Sequence, residues 1–67
     1  MERTNLKVFR VKLKLSQAQI AEKIGVNRGT YAAIEKGARN GSYKFWTALQ
    51  IAFPNANIGE LMKVDED

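Results

Sequence analysis

Neither cysteine nor histidine occurs in the 67 residues of this chain, and proline occurs once. No apolar run approaches the length of a membrane span. Each absence removes a possibility. Without cysteine, no disulfide framework or thiolate metal site supports a chain near the lower size limit for independent folding. Without histidine, the common zinc arrangements and most general-base designs are lost as well. No metal and no cofactor is therefore expected. No two carboxylates are clearly brought into one cleft, so nothing proposes an enzymatic reaction. The N-terminal stretch MERTNLKVFR has no signal-peptide apolar region, and the chain reads as soluble and cytoplasmic, with no membrane partner. Residues 1–67 read as one domain whose stability comes from packing a single modest core.

Charge is unevenly spread. Residues 1–44 carry ten Lys/Arg against Glu2, Glu22 and Glu35, a balance of +7. Residues 45–67 carry Lys63 against Glu60, Asp65, Glu66 and Asp67, a balance of −3, and the whole chain is +4. A basic body with an acidic end fits a polyanionic partner for the first two thirds, although solubilising charge alone would read the same way.

Turn and cap signals divide the chain into five short helices with no repeat or linker. The first spans roughly Asn5 to Leu13, with Leu6, Phe9 and Leu13 on one face broadened by Val8 and Val11. The run VKLKL alternates like a strand, so strand competes with helix there. Helix is favoured, because the next segment opens with a strong cap and no pairing strand is in sight. Ser16 and Gln19 form a capping box for the second helix, which buries Ile20, Ala21 and Ile24 and closes in a left-handed turn at Gly25. Asn27 caps the third, which buries Tyr31 and Ile34 and ends at Gly37. Ser42 caps the fourth, with Phe45/Trp46, Leu49 and Phe53 inward and Pro54 as its stop. Asn57 and Glu60 make a second capping box for a short last helix through Ile58, Leu61 and Met62. The acidic end, 62–67, is expected to fray. An all-α domain built from local contacts follows.

The second and third helices, joined through IGVN, form the informative unit. A small Ala21 suits a near-perpendicular crossing, and Gly25 suits a positive φ. The outward positions of the third helix hold Arg28, Gly29, Ala32 and Ala33. Glycine there costs about 1 kcal/mol relative to alanine. It makes sense if the backbone must approach another surface, while drift in a tolerant first turn explains it equally. The two alanines keep the face low, or serve simply as good helix formers. Arginine is the side chain best shaped for bidentate bonds to guanine in the major groove, worth about 1–3 kcal/mol of discrimination.

The stretch LSQAQIAEKIGVNRGTYAAIEKGARNGS resembles the Cro/repressor-type (XRE-like) helix-turn-helix family of phage and bacterial regulators. The resemblance covers Leu6 to about Met62 and rests on Ser16-Gln17, Ile20-Ala21, Gly25-Val26, Ile34-Glu35, Gly37 and Arg39-Asn40 together. It implies a compact five-helix, lambda-repressor-like domain with helices two and three as the helix-turn-helix. It also implies roles. Gln17 would donate to a phosphate and brace the third helix, and Asn27, a cap first, would add a phosphate contact. Arg28, Gly29 and Thr30 occupy early recognition positions, and Ala33 would touch a thymine methyl. Lys36, Arg39 and Lys44 would lie along the backbone. Arg10 and Glu35 match a structural ion pair of the family. Three departures stand out. Tyr31 replaces a smaller aliphatic residue, so its hydroxyl is expected to reach solvent or a partner. Lys14 replaces a glycine or small polar residue, and Asn40-Gly41-Ser42 replaces a proline-containing turn.

The expected function is a sequence-specific transcriptional regulator, Cro-like or a small repressor, nucleoid-associated when bound to DNA. It is read as a bare DNA-binding domain that occupies double-stranded DNA at a palindromic operator as a homodimer. Ile58, Leu61 and Met62 are the candidate dimer surface, although all three would also serve as core. The competing reading is a protein-interaction module such as an antitoxin, with the acidic end ordering against a basic protein partner.

Overall fold

The chain forms α1 (Thr4–Lys12), α2 (Gln17–Ile24), α3 (Arg28–Lys36), α4 (Tyr43–Ala52) and α5 (Ile58–Leu61) in the computed structural model, which describes residues 1–66. Side-chain N-caps open α2 to α5 but not α1. These five α-helices, with no strand among the described residues, form the all-α architecture expected from the sequence. The Ser16 hydroxyl accepts the Gln19 amide at 3.0 Å while the Gln19 side chain accepts the Ser16 amide at 2.8 Å, a complete capping box. Gly25 leaves α2 at a φ of 74°, where a side chain would strain the turn. The Asn27 carboxamide oxygen then takes the amides of Gly29 and Thr30, opening α3.

The core joins all five helices. Leu6, Ile20, Tyr31 and Leu49 are fully buried, Ala21 nearly so, and α2 packs against α3. Phe9 of α1 meets Phe53, just past α4, edge-on with ring centroids 5.5 Å apart, and Phe45 meets Trp46 in the same way at 4.8 Å. The Gln50 carboxamide donates to the carbonyls of Phe53, Pro54 and Ala56 and so fixes the α4–α5 connection.

VKLKL is helical through Lys12, the reading favoured over a strand, and then turns, with Lys14 at a φ of 59° in the left-handed region that favours glycine. Several other expectations are corrected. Val8, Val11 and Leu13 are exposed, so the inward stripe of α1 is narrower than its composition suggests. Tyr31 reaches no solvent: it is fully buried, and its hydroxyl has no partner at hydrogen-bonding geometry. The second capping box is half made. Asn57 accepts the Glu60 amide, but the Glu60 carboxylate is taken by Lys63 at 3.1 Å. Leu61 is core, and Ile58 packs against the core, which leaves Met62 as the exposed member of the candidate dimer trio.

The two ends of the chain meet. The Asp65 amide donates to the Glu2 carbonyl at 2.8 Å, and its carboxylate accepts from the amide and hydroxyl of Thr4 at the start of α1. Asp65 is thus engaged where fraying was expected, and Asp67, part of that acidic end, lies outside the described residues. Arg3 is also buried, beside the end of α3.

Candidate nucleic-acid interface

A helix presents residues three and four apart on one face, so Arg28, Ala32 and Lys36 share a stripe with Gly29 and Ala33 beside them. Arg28, Gly29 and Lys36 are exposed, and Thr30, Ala32 and Ala33 are half-buried. The stripe is therefore low in its middle and cationic at both ends. Gly29 also has a local reason to be small: a Cβ there would sit 3.0 Å from the Asn27 carboxamide oxygen that caps the helix. Close fit to its own cap thus joins the readings of this glycine.

Behind the stripe, a polar brace holds α3 to α1 and α2. Arg10 grips Glu35 with two bonds, Nε to Oε2 at 2.9 Å and Nη2 to Oε1 at 3.1 Å, and also donates to the Leu15 carbonyl. Gln17 Nε2 donates to the same Glu35 Oε1 at 3.2 Å. Burial alone would raise the Glu35 carboxyl. The hydrogen bond from Arg10, the neighbouring Tyr31 hydroxyl, the bond from Gln17 and the charge on Arg10 outweigh that and hold it below its usual range. Burial likewise pushes the Tyr31 hydroxyl far above its ordinary value, so it stays protonated. Gln17 therefore serves α3 directly, and its remaining amide hydrogen is the one that could meet a phosphate.

The loop after α3 completes the surface. The amides of Ala38 and Arg39 both donate to the Ala33 carbonyl, at 2.9 and 3.2 Å, folding the loop under the helix end. An open cleft between the α2–α3 turn, α3 and the start of α4 brings Thr30, Arg39, Asn40 and Lys44 around Val26 and Ile34. Gln17, Asn27, Arg28, Gly29, Ala33 and Lys36 lie outside that cleft, on α2, the turn and the outward side of α3. With Arg3 and Arg10 internal, the cations left exposed in residues 1–44 are Lys7, Lys12, Lys14, Lys23, Arg28, Lys36, Arg39 and Lys44. The exposed acids there are Glu2 and Glu22, so the first two thirds remain strongly cationic at the surface.

Two features escaped the sequence. Arg3 looks like one more basic residue near an end, yet its guanidinium is spent on backbone carbonyls that no local pattern announces. An uncharged groove between α4 and α5, lined by Tyr43, Trp46, Thr47, Gln50, Ile51, Ile58 and Met62, exposes Tyr43 by 87% and Ile51 by 74%. Ile51 was legible as an isoleucine lying off the inward stripe of α4.

The helix-turn-helix family profile matches residues 6–52. An uncharacterized HTH-type transcriptional regulator of Archaeoglobus fulgidus is 37% identical over 65 residues, covering 97% of this chain and 90% of that protein. A second from the same organism is 35% identical, over 97% of this chain and 91% of its own length. One from Methanothermobacter thermautotrophicus is 34% identical, over 97% of this chain and 94% of its own. No solved structure gives a significant match.

Proposed function

Because the chain belongs to the helix-turn-helix family, we propose that it is a transcriptional regulator that inserts α3 into the major groove of a specific duplex. The observation that carries this reading is the stripe on α3, cationic at Arg28 and Lys36 and low between them, flanked by Arg39 and Lys44 around the adjoining cleft. With its side chains an α-helix is about 10–12 Å across, a fit to a groove about 12 Å wide. Arg28 is the base-reading side chain, with Gly29, Thr30 and Ala33 against the base edges. Gln17, Asn27, Lys36, Arg39 and Lys44 position the protein on phosphates. Two copies bind a palindromic operator, in the manner of a Cro-like protein or small repressor, and α4 and α5 supply the surface between them.

The uncharged α4–α5 groove also favours a second reading, a module for a different protein partner, in which an antitoxin-like role replaces self-association.

Selection from randomised duplexes at near-physiological salt tests the proposal. The expected pool contains an inverted repeat with a guanine in each half. Arg28→Ala then relaxes preference at that guanine by about 1–3 kcal/mol, whereas Arg39→Ala weakens all sequences alike and reduces the salt slope by about one. Salt-sensitive retention without enrichment, or an Arg28→Ala protein of unchanged preference, would sink the assignment.

A further inference from the structure

We infer that Arg3 is a positioning residue for the DNA-facing loop 38–42. This rests on the reading above for the roles of Arg39 and Lys44. Arg3 is 4% exposed, yet no carboxylate pairs with it: the ion pairs among the described residues are Arg10–Glu35 and Glu60–Lys63. All its side-chain acceptors are backbone carbonyls. Nη1 donates to Ile34 at 2.8 Å and to Arg39 at 2.9 Å, Nη2 donates to Asn40 at 3.3 Å, and Nε donates to Met62 at 3.1 Å. Its own amide donates to the Glu35 carbonyl at 2.8 Å, and the guanidinium lies 5.7 Å from the Trp46 ring centroid.

Burial lowers the Arg3 pKa, the direction expected when a cation loses water. A plain apolar plug would avoid that desolvation. What an apolar plug cannot do is gather carbonyls from three chain segments at once. A guanidinium has five donors in a fixed planar fork, whereas an ammonium has three on one point. Two of the acceptors belong to Arg39 and Asn40, inside the loop. Trp46 Nε1 holds the same Asn40 carbonyl at 3.2 Å, and Ser42 then caps the helix that carries Lys44. The backbone from which the Arg39 side chain departs is therefore fixed from the interior. Fixing it beforehand removes part of the ordering cost of binding.

A double-mutant cycle on the full chain tests this, with a labelled random-sequence duplex titrated over a range of salt. Amide hydrogen exchange is followed in the same proteins. Arg3→Met keeps the bulk against Trp46 and removes the fork. It should weaken duplex binding roughly tenfold, and amides 38–41 should exchange at least about tenfold faster while α2 amides keep their rates. In an Arg39→Ala background, Arg3→Met should cost less than about twofold more, because the residue it positions is gone. Full additivity in that background, or unchanged loop exchange, would overturn the inference. Should Arg3→Met not fold, Arg3→Lys runs the same cycle with the charge retained and the fork lost. If the unmodified chain retains no duplex even at low salt, the DNA reading itself fails, while the exchange data still decide whether Arg3 holds the loop.

Discussion

Glu35 concentrates the chemistry of single residues, because Arg10, Gln17 and Tyr31 all converge on it from three helices. Its carboxyl is held below the unfolded value of about 4.3, so the folded state binds that proton less tightly than the unfolded one. The resulting stability is complete above about pH 5 and is lost as pH falls through the folded value. Thermal unfolding between pH 7 and 3 should show that loss. Glu35→Gln should flatten it, while costing about 3 kcal/mol at neutral pH by leaving Arg10 without its countercharge. Equal acid sensitivity in the variant would assign the loss to other carboxylates. Tyr31→Phe removes a buried hydroxyl that lacks a well-formed hydrogen bond. Denaturant titration should find it between unchanged and about 1 kcal/mol more stable. A loss beyond 1 kcal/mol would mean that the hydroxyl is bonded to Glu35 in solution.

Among the elements, α3 is bounded by two local devices of different strength. Asn27 starts it through bonds to the next few residues, a signal wholly contained in the sequence. Gly37 ends it at a φ of 88°, and a Cβ there would fall 1.3 Å from the Met1 carbonyl oxygen. Gly37→Ala should therefore destabilise the protein by more than the roughly 1–2 kcal/mol of a left-handed alanine, because the N-terminal segment must also move. Calorimetry would show it, and a loss under 1 kcal/mol would mean that Met1 does not rest on that turn. The glycine was legible as a helix stop; the neighbour that forbids a side chain was not. The same contrast runs through the fold. The cap of α2, the Gly25 turn and the cap of α3 bind residues two to five apart, and reading along the chain finds them. Arg3 bonds carbonyls 31 to 59 residues away, which reading along the chain does not find. Val8 and Val11 were misassigned because apolar spacing gives a helix its stripe but not how wide a neighbour will cover it. The outward stripe of α3 was legible because helix phase says which positions face out, while their recognition roles came from the family resemblance. That Gln17 braces the third helix also came from the resemblance, and its partner Glu35 was not read from the sequence.

For the whole molecule, the cleft that holds Arg39 and Lys44 and the uncharged α4–α5 groove share Gly41 in their linings. The protein measures 31 × 24 × 24 Å. Two copies side by side would hold equivalent helices roughly one diameter apart, close to the 34 Å or so between successive turns of one groove. An Ile51→Lys substitution tests whether the groove joins them. Lysine at so exposed a site should change stability by less than about 0.5 kcal/mol, while sedimentation shifts from dimer to monomer and affinity for the selected repeat falls at least about a hundredfold. An unmodified chain that stays monomeric on its operator would remove the groove from the proposal. Distant parts of the sequence also close on each other at the termini, where Asp65 bonds Glu2 and Thr4. In topological terms the molecule is a ring with one link left open. A short peptide joining the ends would reroute nothing in the interior and would restrict only the unfolded chain, a stabilisation of about 4 kcal/mol for a loop of this length. Met1 and Asp65 thus share one corner of the molecule, beside the last turn of α3.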